Sequence, residues 1–163
     1  MKIALLSDVH DQSTNLLIAL HSAMEEGCEH LIYLGDIVDV STLKLMLEEW
    51  PHGIDIVFGN NEYDLKTHVR VASARKDSIH HGYDAHIERG GRRIYCSHFP
   101  HEALAAAESG KYHAAFFGHT HRAEQSIIRG TLLANPGEVA GIRRPPSYAV
   151  FETETLSLSF ISI

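Results

Sequence analysis

Two cysteines, Cys28 and Cys96, are all the chain offers for disulfide chemistry. No disulfide framework is expected, and a reducing compartment fits. Long hydrophobic runs are missing too. No stretch approaches the roughly 20 apolar residues that span a bilayer, and the apolar part of the N-terminal MKIALLSDVH is too short for a signal peptide. Basic residues are outnumbered, 14 Lys and Arg against 21 Asp and Glu, for a net charge of −7. That balance argues against nonspecific binding to nucleic acid, which needs a basic surface. It leaves room for a small phosphorylated molecule held through a metal. With no membrane segment, the expectation is a soluble, cytoplasmic protein. There is no internal repeat, low-complexity tract or linker, so the 163 residues are expected to form one domain, 1–163, with a proper core. Histidine is the abundant exception, with 13 copies.

Six apolar stretches each end in a residue able to bind a metal or to shape a turn beside one. IALLS precedes Asp8-Val9-His10, LIYLG precedes Asp36, and IDIVFG precedes Asn60. RIYCS precedes His98, AAFFG precedes His119-Thr120-His121, and LLA precedes Asn135-Pro136-Gly137. Such runs read as strands buried on both faces. In open α/β sheets, ligands bind beyond the carboxyl ends of the strands. Two carboxylates, four imidazoles and one amide would then meet in one crevice.

Element by element, residues 2–7, 31–34 and 54–58 read as strands. Between them lie two helices. Ser13 or Thr14 is the expected cap of the first, which ends near Gly27; Ser41 opens the second, and Pro51 stops it. This β-α-β-α-β opening implies parallel pairing with right-handed crossovers. Residues 62–82 have weak periodicity and read as a short helix or a mobile lid. Gly90-Gly91 signals a hairpin between 85–88 and 92–96. Pro100 starts an Ala-rich helix ending near Gly110. After a strand at 114–117 the chain turns to β, at 124–128, 131–134, 147–151 and 156–161. The expectation is a parallel α/β half followed by an antiparallel β half, as two sheets packed face to face with helices outside.

Asp8 and His10 are i, i+2 neighbours, as are His119 and His121, so each pair projects to one side of an extended segment. Gly118 lets the backbone pass close to the site. Any one of these motifs alone is commonplace, and Gly35-Asp36 after a strand is usually a turn. Together they are far more specific. Nitrogen and carboxylate donors suit Mn, Fe, Co, Ni or Zn better than Ca or Mg, and the lack of a C-x-x-C pair argues against structural zinc. A mononuclear site uses about three or four protein ligands. Seven candidates invite two metals about 3.5–4 Å apart, able to clamp a phosphoryl group.

In order along the chain, Asp8-x-His10, Gly35-Asp36, Gly59-Asn60-Asn61-Glu62, His98 and Gly118-His119-x-His121 resemble the calcineurin-like metallophosphoesterases. The short length and the Asn135-Pro136-Gly137 turn are similar to the compact microbial phosphodiesterase branch. The resemblance implies the four-layer α/β/β/α sandwich of two mixed sheets. It also implies two divalent transition metals, with Mn2+ the first choice and Fe, Ni, Co and Zn as alternatives. Metal one would take Asp8, His10, Asp36 and His121. Metal two would take Asp36, Asn60, His98 and His119, with Asp36 bridging. A bridging hydroxide would attack phosphorus, with Asp8, Asp36, Asn60 and His119 as the residues of the reaction centre. Many relatives read Gly-Asn-His-Glu at the third motif, with that His implicated in leaving-group protonation; here Asn61 replaces it. His101 is a candidate alternative acid, against a solvated histidine at a helix start. Asn61, Arg143 and Arg144 are candidate substrate contacts, the two arginines against a solvated loop stiffened by Pro145-Pro146.

The activity so implied is a phosphodiesterase acting on a small phosphate ester. The alternatives are a phosphomonoesterase and a non-catalytic scaffold, as in the retromer subunit that has this fold. Loss of ligand residues would favour the scaffold, and none is lost. A homo-oligomer is left open. The remaining histidines, His80-His81 among them, read as surface or structural groups. Asn15 is read as orienting the start of the first helix, and Asp11 as a support for the ligands.

Overall fold

Strand and helix alternate through the first half because apolar runs of four or five residues are separated by longer amphipathic stretches. The computed structural model describes Met1–Ile163. The first half runs β1 (Lys2–Leu6), α1 (Ser13–Glu25), β2 (His30–Tyr33), α2 (Val40–Glu49), β3 (Gly53–Ile56), α3 (Leu65–Ser73) and β4 (Ser78–His80). The second half runs β5 (Asp84–Arg89), β6 (Arg92–Ser97), α4 (Pro100–Glu108), β7 (Ala114–Phe116), β8 (Ala123–Ile128), β9 (Thr131–Pro136), β10 (Ser147–Glu152) and β11 (Ser157–Ser162).

Two mixed sheets result. The first has the order β11-β10-β1-β2-β3-β4 and the second β5-β6-β7-β9-β8. Strands β1 to β4 pair in parallel, as do β6, β7 and β9. Ile3, Leu5, Ile32, Leu34, Ile94 and Phe116 fill the layer between the sheets. Leu16, Leu20, Leu43, Met46 and Trp50 bury the helices α1 and α2 on the outer face of the first sheet. Ala103, Ala106 and Ala107 let α4 lie close against Tyr95 and Phe117 of the second. The architecture is the expected α/β/β/α sandwich. No helix is long and apolar enough to cross a membrane.

Three local expectations need correction. The second half is not simply antiparallel. Its β6, β7 and β9 are parallel, and β10 and β11 return to the first sheet, β10 antiparallel to β1 and β11 antiparallel to β10. Helix α1 starts after Gln12 with no side-chain cap, so Ser13 and Thr14 lie inside it. Helix α2 is capped by Asp39, whose Oδ1 accepts from the Ser41 amide at 2.7 Å. Segment 62–82, read as a short helix or a mobile lid, contains the short helix α3 and the edge strand β4.

One strand position breaks the apolar rule. Asp55 of β3 is 2 % exposed, and it faces the second sheet. Its carboxylate meets His30 Nε2 and His81 Nε2, each at 2.7 Å, and Arg89 Nη2 of β5 at 2.8 Å. The two sheets are thus tied at this edge by charge. Burial alone would raise the Asp55 pKa, but the two imidazoles and the guanidinium hold it well below the usual carboxylate range. Asp55→Asn should therefore destabilise the fold by about 3 kcal/mol at pH 7, because Arg89 is left unpaired. The wild-type advantage should persist above the unfolded carboxyl pKa of about 3.9 and shrink as pH falls below it. Urea unfolding of both proteins between pH 7 and pH 3 measures this; a difference that does not change with pH would remove the carboxylate as its source.

Candidate metal centre

Every candidate ligand follows the carboxyl end of a parallel strand. Asp8 and His10 follow β1, Asp36 follows β2, and Asn60 follows β3; His98 follows β6, and His119 and His121 follow β7. At these ends the chain leaves extended geometry abruptly. Left-handed φ values occur at Asp8 (55°), His10 (42°), Asp36 (62°), His119 (67°) and His121 (59°). Such conformations are costly for residues other than glycine and gather at functional sites. Here they turn five side chains into one crevice. The loops also approach closely where side chains are missing. A Cβ at Gly59 would strike the Asp36 carboxylate, and one at Gly118 would strike the Ser7 hydroxyl and stand 2.9 Å from Asp8 Oδ2.

The donors form two overlapping groups, Asp8 with His10 and His121, and Asp8 with Asp36 and His98, each with its ligand atoms within 4.8 Å of one another. Asp36 stands between the imidazoles, its Oδ2 3.6 Å from His10 Nε2 and 3.4 Å from His98 Nε2. Its Oδ1 accepts from the amides of Asn60 (2.8 Å) and Asn61 (3.0 Å), and Asn61 Nδ2 donates to Oδ2 at 2.7 Å. His98 Nε2 lies 3.1 Å from Asn60 Oδ1 and 3.2 Å from His119 Nδ1. His121 Nε2 lies 3.5 Å from Asp8 Oδ1, and its ring stacks on His10 at 5.2 Å. Asp8 Oδ2 is engaged by the Ser7 hydroxyl (2.6 Å) and the His119 amide (3.0 Å), which leaves Oδ1 facing the crevice.

Charge is tuned accordingly. Burial would raise the Asp36 carboxyl, but His98 and the Asn61 and Asn60 donors hold it well below its ordinary value. Burial opposes protonation of His98, yet hydrogen bonding to Asp36 and the charges of Asp8 and Asp36 raise its pKa. Burial and the neighbouring His98 lower that of His119.

These residues suit a metal. Asp8 Oδ1 and His10 Nε2 are buried polar atoms with no hydrogen-bond partner, an arrangement that costs free energy unless something fills it. The donor spacings of 3.1–3.8 Å are those expected around a cation bound at about 2.0–2.2 Å by nitrogen and oxygen. His98 Nδ1 faces the Leu34 carbonyl at 2.7 Å, which fixes its ring with Nε2 toward the crevice.

Asn61 and Arg143 line this cavity of about 270 Å³ with His10, Asp36, Asn60 and His119. Arg144 does not; its contribution is a backbone amide. His101 lies outside it, 74 % exposed and 3.2 Å from Glu102. Asp11 reaches Asp39 N and Thr42 Oγ1 of α2 and supports no ligand. Asn15 donates to the Val139 and Ala140 carbonyls, so it ties α1 to the loop after β9. Asn135 shapes its turn by donating to the Gly118 carbonyl at 2.7 Å and accepting from the Gly137 amide at 2.9 Å.

The sequence reasoning assigned no role to two glutamates, Glu62 of the third motif and Glu138. Glu62 grips the loops on either side of Asp36 through the amides of Ile37 (3.0 Å) and Gly59 (2.9 Å). Glu138, fully buried, accepts from His121 Nδ1 at 2.8 Å and from the amides of Ile142, Arg143 and Arg144. Burial would raise its pKa, but His121 and these amides lower it. Its one sequence signal is that it is the sole charge between Leu132 and Ile142.

The calcineurin-like phosphoesterase superfamily domain matches residues 1–156. The phosphodiesterase MJ0936 of Methanocaldococcus jannaschii is 27 % identical over 158 residues, covering 94 % of each chain. A probable metallophosphoesterase of Bacillus subtilis, YsnB, is 28 % identical over 159 residues, covering 94 % of this chain and 85 % of its own. Among solved structures, an archaeal phosphodiesterase superposes with a TM-score of 0.93 at 25 % identity, with both chains fully covered.

Glu138→Gln should lower affinity for a divalent metal by about 10–100-fold, the usual effect of losing a group that orients a metal-binding histidine. The amide keeps the shape but presents a donor to His121 and three amides. Calorimetric titration with Mn2+ measures it, and unchanged affinity would mean that His121 needs no such support.

Proposed function

The chain belongs to the calcineurin-like phosphoesterase superfamily, and from that premise we propose that it is a phosphodiesterase for small phosphate esters whose centre holds two divalent metals bridged by Asp36. The observation that carries the reading is the position of Asp36 Oδ2, 3.6 Å from one imidazole and 3.4 Å from another. Asp8, His10, Asp36 and His121 would hold one metal, and Asp36, Asn60, His98 and His119 the other. The nitrogen-and-oxygen donor set suits Mn2+, Fe, Co, Ni or Zn, and the family resemblance puts Mn2+ first. When bound, such a pair supplies positive charge at the phosphoryl oxygens and lowers the pKa of a water.

The chain's own residues do the rest. Glu138 and the Leu34 carbonyl lock His121 and His98 so that each Nε2 faces the crevice. Arg143, at the rim, offers a guanidinium suited to bidentate contact with phosphate. Asn61 holds an amide donor over Asp36 where many relatives carry a histidine. An amide orients a phosphoryl oxygen but provides no proton at neutral pH, so substrates with good leaving groups are favoured. The unbroken element order supports reading 1–163 as one domain, and the two buried free thiols support a reducing, cytoplasmic setting.

Elemental analysis of Mn-loaded protein should find two metals per chain. Asp36→Ala should lower kcat/KM for bis(p-nitrophenyl) phosphate by roughly 10³-fold, since several kcal/mol of charge stabilisation goes with the metals. His98→Ala should lose mainly one metal. Wild-type hydrolysis by Asp36→Ala would sink the dinuclear reading.

Asn61→His should raise hydrolysis of alkyl esters more than of nitrophenyl esters. General acid catalysis is typically worth about 10²–10⁴-fold, chiefly where the leaving group needs a proton. Equal changes for both ester classes, at equal metal content, would show that this position does not supply the proton.

A further inference from the structure

Beside the metal cavity lies a second, larger one, and a single side chain joins them. Phe99 follows His98, with its ring 5.3 Å from that imidazole and 5.5 Å from His119. The same residue lines a neighbouring cavity of about 420 Å³ with Tyr83, Asp84, Tyr95, His101 and Glu102. The apolar lining is aromatic throughout, from Tyr83, Tyr95 and Phe99, with no aliphatic side chain.

These rings are supported. Tyr83, 54 % exposed, packs against Phe58 with ring centroids 5.5 Å apart, and Phe58 rests on His80 at 3.9 Å. Tyr95 is buried beneath α4 and packs on Tyr112 at 5.6 Å. Braced aromatic faces suit a flat ring, which stacks on them whatever its substituents.

The polar lining decides what kind of ring. It contains two carboxylates, Asp84 and Glu102, beside Ser97 and His101, and no lysine or arginine. A phosphate would be repelled there, whereas a neutral heterocycle bearing N–H donors would be accepted. Adenine, guanine and cytosine carry exocyclic amino groups of this kind. Arg143 and the metal ligands line the other cavity, where phosphate belongs. The two cavities therefore ask for opposite ends of one molecule. The net charge of −7 weighs against a long polynucleotide and for a small one.

We propose that the cavity of Tyr83, Tyr95 and Phe99 is a nucleobase subsite, and that the substrate is a small nucleoside phosphodiester. This rests on the phosphodiesterase reading of the adjoining metal centre. Hydrolysis sets the phosphate at that centre while the base stacks beyond Phe99.

The test compares two esters with the same leaving group, adenosine 5′-(p-nitrophenyl) phosphate and methyl p-nitrophenyl phosphate, on Mn-loaded protein. Adenosine binding to the metal-free protein is followed separately by calorimetry. The nucleoside ester should show at least a tenfold higher kcat/KM, and Tyr83→Ala should reduce that ratio by roughly tenfold, the usual worth of one stacking contact. Adenosine should bind, and bind more weakly to Tyr83→Ala and to Phe99→Leu. Equal kcat/KM for the two esters, with no adenosine binding at millimolar concentration, would overturn the subsite and leave the diesterase reading standing. Hydrolysis of neither ester would sink the diesterase reading, and adenosine binding alone would then decide the subsite. Benzyl alcohol binding as tightly as adenosine would also overturn the base assignment.

Discussion

Asp36 accepts three hydrogen bonds and faces two imidazoles at once, and the surrounding loops are built around that demand. Its backbone carbonyl takes the His10 amide at 3.0 Å, and the preceding Gly35 carbonyl takes the Asp8 amide at 3.0 Å. The end of β1 is thereby stitched to the end of β2. On the other side, Glu62 spans the loops after β2 and β3, and the Leu34 carbonyl fixes the ring of His98 from the second sheet. A carboxylate that touches this many elements admits little slack. Gly59 has no side chain because the space is already occupied by Asp36 oxygen.

This density is expensive. Buried Asp8 and Asp36 lie among four imidazoles, and Asp8 Oδ1 and His10 Nε2 have no partner within the protein. Five residues hold left-handed backbone besides. Such features persist only when the surroundings over-determine them. Here the surroundings are the filled layer between the sheets and the helices packed outside them. The strands end at one level because β1, β2, β3, β6 and β7 run parallel within their sheets. Packing thus fixes where the strands stop, and strand ends fix where the ligands stand. The Asp55 cluster joins the same two sheets far along one edge, which helps keep their strand ends opposed.

Much of this was legible in the sequence, because the ligands coincide with the strongest local signal. A buried parallel strand is an uninterrupted apolar run, and the first polar residue after it marks the crevice. Asp8, Asp36, Asn60, His98 and His119, which the structure brings into one crevice, each follow such a run. Glu138 was not legible, since its partners are backbone amides and an imidazole that only the folded loop brings to it. The strand pairing of the second half was also hidden. An apolar run does not state its neighbour's direction, so the return of β10 and β11 to the first sheet follows from packing rather than local pattern. The caps went astray for a similar reason: Asp39 outcompeted Ser41 because its carboxylate reaches the Ser41 amide and hydroxyl together. His101, the candidate alternative acid, instead matches the solvated histidine at a helix start, since α4 begins at Pro100 and the side chain lines the cavity beyond Phe99.

The Phe99 wall between the two cavities gives the site a direction. Glu138 couples His121 to the loop 142–144 through backbone amides, so the backbone of the arginine at the rim is tied to the histidine that faces Asp8. The backbone from which the Arg143 side chain projects is therefore fixed on the side of the candidate metal ligands. Beyond Phe99 the carboxylates of Asp84 and Glu102 stand with Ser97 and His101 on an aromatic lining. An anionic ester meets attraction at one end of this path and repulsion at the other, while an uncharged ring finds stacking only beyond the wall. Opposed electrostatics across one aromatic side chain select orientation as well as affinity, because reversing the molecule would set phosphate against Asp84 and Glu102. In the proposed orientation the phosphorus lies at the crevice where Asp8 Oδ1 and His10 Nε2 lack partners.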